Sequence, residues 1–134
     1  GVQTCALPIS TIAEPAAGGL AAIHAGNPVG YVIQIDGGPT LYHTGDTDVY
    51  QDMKLIPEFF KVDLMLACIG GHFTMDPKRA ALAVEWVQPK QVMPMHFGTY
   101  GLLAGTPAQF KAALTQRGIG DRMIEMKPGE DRAL

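Results

Sequence analysis

Residues 62–77 read VDLMLACIGGHFTMDP, and this stretch decides the fold class. From Leu64 to Ile69 the run is continuously apolar, the pattern of a strand covered on both faces rather than one wetted at every second residue. Gly70 and Gly71 end it. Asp76 and Pro77 then have the form of a helix N-cap followed by proline at the first helical position. The helix they open is predicted to run through Trp86. A buried strand, a glycine corner and a capped helix in succession make a β-to-α unit.

Working upstream, VGYVIQID (29–36) and TLYHTGD (40–46) are two strand-like runs separated by Gly37, Gly38 and Pro39, which predicts a hairpin. DVYQDMKLIPEFF (48–60) places Val49, Met53, Ile56 and Phe60 at helical spacing, with Pro57 as the expected break. Downstream, QVMPM (91–95) is the next strand. Thr106, Pro107 and Gln109 resemble a capping box at the start of a helix expected to end at Gly118. RMIEM (122–126) reads as a last short strand before the KPGE turn (127–130). The order is strand, strand, helix, strand, helix, strand, helix, strand: an α/β layer with a mostly parallel portion and one hairpin.

The totals bound the function. A chain of 134 residues is one domain or part of one. An apolar content of 47% is too high for disorder. A net charge of −3 argues against nucleic acid as a partner, because no basic patch supplies the phosphate-binding term. No apolar run approaches a membrane span, so no membrane partner is expected. The two cysteines, Cys5 and Cys68, do not make a disulfide framework, and a reducing cytoplasm is the expected location. Neither a dinucleotide-binding glycine fingerprint nor a phosphate-binding P-loop is present.

Three strands are followed at once by a polar residue able to do chemistry: Asp46 in HTGDTD, His72 in IGGHFTMD and His96 in PMHFGTY. Ligand sites of open α/β sheets lie at such carboxyl ends. A carboxylate such as Asp46 is a good ligand for zinc or manganese. It could equally close an Asx-turn or cap a helix before Val49, a role open to Thr47 or Asp48 too. His96, between Met95 and Phe97, reads by itself as a satisfied core histidine. His72 follows two glycines, which let a ligand or another backbone approach closely; otherwise it is a loop histidine. His43 shares its strand with Leu41 and Tyr42 and is given a structural role, and His24 that of a loop residue.

Taken together, GNPVGYVI (26–33), LYHTGDTDVYQDMKLI (41–56), IGGHFTMDP (69–77), PKQVMPMHFGTY (89–100) and KPGE (127–130) resemble one family. They look like the C-terminal half of metallo-β-lactamase-fold, metal-dependent hydrolases of the L-ascorbate-6-phosphate-lactonase-like branch. The resemblance covers about residues 18–131. It implies an α/β fold that is half of a four-layer αββα sandwich, a mixed sheet with helices on one face. It implies two divalent metal ions, zinc or manganese, in the intact parent. Asp46 would bridge them, His96 would complete one site, and His72 would stand at the active-site mouth beside a small-molecule substrate. On that basis Asp46 and His72 are the catalytic candidates and Asp46 and His96 the metal ligands. Such a site hydrolyses lactones, other esters, amides or phosphoesters.

The chain departs from the family in lacking the H-x-H-x-D-H cluster that supplies most ligands. Its opening, GVQTCALPIS (1–10), has neither helical nor strand period. Read back into codons, residues 1–9 and the first base of the Ser10 codon resemble a widely used sequencing-library adapter. The expectation is therefore that residues 1–10 are a non-native artefact and residues 11–134 are the C-terminal half of a metallo-β-lactamase-fold domain. Such a fragment would be inactive alone, and its uncovered sheet face would favour self-association into a homo-oligomer. The rival reading is a non-enzymatic α/β signalling or binding module, with Asp46 as phosphoacceptor or single-metal site. A third is a scaffold that never had the other ligands.

Overall fold

The computed structural model describes residues 2–8, 28–127 and 129–133. His24 and the junction expected after Ser10 lie outside them. Among the described residues five strands form one sheet in chain order: β1 (Val2–Pro8), β2 (Val29–Ile35), β3 (Thr40–His43), β4 (Leu64–Cys68) and β5 (Gln91–Met95). The β1–β2 and β2–β3 pairs are antiparallel, and β3–β4 and β4–β5 are parallel. The expected hairpin is present, with Gly38 N donating to Ile35 O at 2.9 Å.

The helices are α1 (Ile56–Phe59), α2 (Pro77–Val87) and α3 (Pro107–Gln116). One sheet face presents Val32, Tyr42, Met65 and Val92 to a buried cluster that includes Met53, Ile56, Val84, Phe110 and Leu114. Strand alternation puts Tyr31, Ile33, Ile35, Leu41, Leu66 and Met93 on the other face, half-buried or exposed. The result is a mixed sheet with its helices on one side. Among the described residues no helix is long and apolar enough to cross a membrane.

The helix ends follow their local signals. Asp76 Oδ1 accepts from the amides of Lys78 (2.8 Å) and Arg79 (2.9 Å), so α2 starts where its cap and proline place it. Thr106 and Gln109 close a reciprocal capping box on α3, with Thr106 N donating to Gln109 Oε1 at 3.0 Å. Thr106→Ala removes the side-chain half of that box and is expected to cost about 1 kcal/mol. A lower urea midpoint with unchanged slope would register it.

Three local expectations are corrected. Pro57 does not break a helix. Gln51–Leu55 is a 3-10 turn, and Pro57 stands in the first turn of α1, where its missing N–H costs nothing. RMIEM is not a strand: Met123 makes a single parallel bridge to Val92 after a 3-10 turn at Gly120–Arg122. Met123 and Ile124 are buried all the same, which takes two side chains and no extended ladder. Residues 2–8, which carry no strand period, nonetheless pair along the whole of β2. The outer edge of β2 offers unpaired backbone groups, and satisfying them needs an extended chain rather than an alternating one.

Two polar arrangements brace the sheet. The Tyr42 and Tyr50 hydroxyls lie 2.8 Å apart, and burial pushes both phenols above their ordinary range. Asp63 Oδ2 accepts from Thr40 N at 2.8 Å while Lys90 Nζ stands 2.6 Å from Oδ1. The Lys90 ammonium, then the Thr40 amide, hold the Asp63 carboxyl below the usual carboxylate range.

Candidate metal-binding site

Because β3, β4 and β5 are parallel, their carboxyl ends share one edge of the sheet, and the loops carrying Asp46, His72 and His96 leave from that edge. The loop after β3 is fastened from below. Thr44 N donates to Leu66 O (3.1 Å), and Cys68 N donates to Thr44 Oγ1 (3.2 Å). Thr47 Oγ1 donates to Thr44 O (3.0 Å), and Thr47 O accepts from Met75 N (3.2 Å) and from the Cys68 thiol (3.4 Å). Thr44 and Thr47 are fully buried. Between them Gly45 takes φ +62°, and a Cβ there would stand 2.1 Å from Val29 O. Only glycine fits, and the turn it makes leaves Asp46 projecting with a side chain 67% exposed.

Asp48, by contrast with the exposed Asp46, is tied down through both carboxylate oxygens. Its Oδ1 accepts from Val49 N at 2.7 Å, and its Oδ2 is ion-paired with Arg79. Arg79 also reaches Asp76 Oδ2 at 3.3 Å, which ties the loop to the start of α2. Arg79 carried no signal in the sequence.

His96 immediately follows β5 with φ +54°, a left-handed conformation that costs a non-glycine residue about 1 kcal/mol. Its Nε2 stands 3.7 Å from Asp46 Oδ2, while Nδ1 is buried with no hydrogen-bond partner among the described residues. His72 is likewise left-handed, at φ +57°, and meets Phe73 edge-on with ring centroids 4.3 Å apart. It lines an open cleft of about 580 Å³ with Gly71, Lys78, Leu102 and Gln109, a lining that includes neither Asp46 nor His96. The structure thus brings Asp46 and His96 together and sets His72 on an adjoining cleft.

A separation of 3.7 Å is too long for a hydrogen bond. It is near the roughly 3.4 Å between two ligands that each sit about 2.1 Å from one tetrahedral ion. The donor chemistry, one carboxylate oxygen and one imidazole nitrogen, suits zinc or manganese. Among the described residues no group of three or more metal-ligating side chains is assembled. The pair therefore fits as two ligands of an ion, one short of the three protein ligands usual for catalytic zinc.

Residues 3–96 match the family described as the beta-lactamase superfamily domain. The chain is 66% identical over 95 residues to a UPF0173 metal-dependent hydrolase of Anaeromyxobacter sp. (strain K), an alignment covering 70% of this chain and 35% of that protein. It is 52% identical over 108 residues to a UPF0173 metal-dependent hydrolase of Thermodesulfovibrio yellowstonii, covering 81% of this chain and 40% of the relative. Among solved structures it is similar to Igni18, a metallo hydrolase of the archaeon Ignicoccus hospitalis. That match has a TM-score of 0.79 and 31% identity, and it covers 97% of this chain and 52% of the other. The chain spans about a third to two-fifths of the length of these two curated relatives.

Proposed function

The chain belongs to the beta-lactamase superfamily, and from that premise we propose that Asp46 and His96 are part of the metal site of a metal-dependent hydrolase. One observation carries the reading: Asp46 Oδ2 and His96 Nε2, delivered by β3 and β5 on either side of β4, face each other at 3.7 Å without a hydrogen bond. Asp46 contributes an anionic oxygen on a turn whose backbone is fixed by Thr44, Thr47 and Cys68. His96 contributes an imidazole whose direction is set by its left-handed backbone. Bound zinc or manganese would supply Lewis acidity and a hydroxide nucleophile near neutral pH. In this proposal the site holds two ions, and the remaining ligands come from outside the described residues, as suits a chain spanning 35% of its Anaeromyxobacter relative.

The substrate in this proposal is a small molecule with a lactone, ester or phosphoester bond, as in the L-ascorbate-6-phosphate-lactonase-like branch. His72 would meet it from the adjoining cleft. Manganese titration of the purified chain followed by calorimetry tests the metal site. Binding is expected to be weak, and Asp46→Asn and His96→Leu should each reduce affinity by at least about tenfold. If both variants bind manganese as the parent chain does, Asp46 and His96 are not ligands. Turnover of a lactone or ester by this chain alone, with stoichiometric metal surviving dialysis, would refute the incomplete ligand set.

A further inference from the structure

β3 ends at His43, and the residue after next, Gly45, donates its backbone N–H to His43 Nδ1 at 3.0 Å. An acceptor at that nitrogen requires the neutral ring to carry its proton on Nε2. Nδ1 is bonded to Cγ, as the side-chain oxygen of an asparagine is. The contact is therefore the imidazole counterpart of an Asx-turn, in which a side-chain acceptor captures the amide two residues on. The captured amide belongs to the glycine whose left-handed φ, and lack of room for a Cβ beside Val29 O, define the turn, and Asp46 is the next residue. We infer that His43 is a positioning residue for Asp46: its Nδ1 holds the Gly45 amide and so fixes the direction in which the carboxylate leaves the sheet edge. The inference rests on the metal-binding reading of Asp46 for its functional consequence, and on the His43–Gly45 hydrogen bond for its geometry.

Substitution separates this role from simple packing. His43→Asn keeps an acceptor in the same place with a smaller side chain, whereas His43→Leu fills the space and removes the acceptor. The readouts are amide hydrogen exchange at Gly45, the Asp46 side-chain carboxyl carbon shift, and manganese affinity, with circular dichroism confirming the fold. The parent chain and His43→Asn are expected to protect the Gly45 amide and to bind manganese within about threefold of one another. His43→Leu is expected to lose that protection, move the Asp46 carbon signal and bind about tenfold more weakly. Equal manganese affinity in the leucine variant, or an asparagine variant as weak as leucine, overturns the inference. So does a Gly45 amide that exchanges freely in the parent chain. Should the leucine variant fail to fold, loss of protection or affinity in His43→Asn still overturns it. If the parent's manganese binding ignores Asp46→Asn, the metal reading fails, and the exchange and carbon-shift data alone decide whether His43 positions Asp46.

Discussion

Gly70→Ala is expected to destabilise the protein by about 3 kcal/mol and to weaken metal binding with it. A Cβ at Gly70 would stand 2.3 Å from the backbone oxygen of His96 and 3.1 Å from Leu103 Cδ2. The first contact is with backbone, so relief means parting the ends of β4 and β5, where Ile69 N donates to Met95 O at 3.1 Å. The same movement carries His96 away from Asp46. Gly101 provides the control, because a Cβ there meets nothing within 4 Å. Gly101→Ala should change stability by less than about 0.5 kcal/mol. Urea unfolding and manganese titration of the two variants would make the comparison. Equal midpoints for Gly70→Ala and Gly101→Ala would mean that the end of β4 and the His96 turn leave room for a Cβ between them.

Phe110→Ala is expected to cost about 3–5 kcal/mol. Phe110 lies on α3, is fully buried, and belongs to the cluster that joins the helices to the sheet through Tyr42, Met65 and Val92. Truncation forfeits the transfer energy of the ring and leaves a cavity between packed elements that relax only in part. Phe59, 74% exposed on α1, is the matched control. Phe59→Ala removes the same atoms where water already reaches them and should cost far less. A midpoint shift for Phe110→Ala no larger than that for Phe59→Ala would show that α3 is not packed on this core.

The elements that could be read from the chain are those with a signal inside their own few residues. The apolar run of β4, the Asp76–Pro77 start of α2 and the Thr106–Gln109 box of α3 are local features, and each element forms where its signal lies. Elements without such a signal are not marked in the sequence. β1 is held by pairing to the edge of β2, and Met123 by a single bridge to β5, so neither depends on a pattern of its own. Proline both breaks and opens helices, and only the preceding 3-10 turn decides that Pro57 opens one.

The candidate site divides the same way. That Asp46, His72 and His96 follow strands was legible, since strand ends and glycine corners are local. Periodicity and capping act over a handful of bonds, and they suffice to specify an α/β chain with three polar strand ends. Which of the three meet was decided by tertiary structure. Parallel pairing of β3, β4 and β5 sets Asp46 opposite His96, while His72 turns onto the adjoining cleft. The capture of the Gly45 amide by His43 was likewise settled only by side-chain torsions in the folded turn. Contacts between residues distant in the chain, and torsions chosen by packing, depend on the whole fold at once, and no short stretch of sequence specifies them.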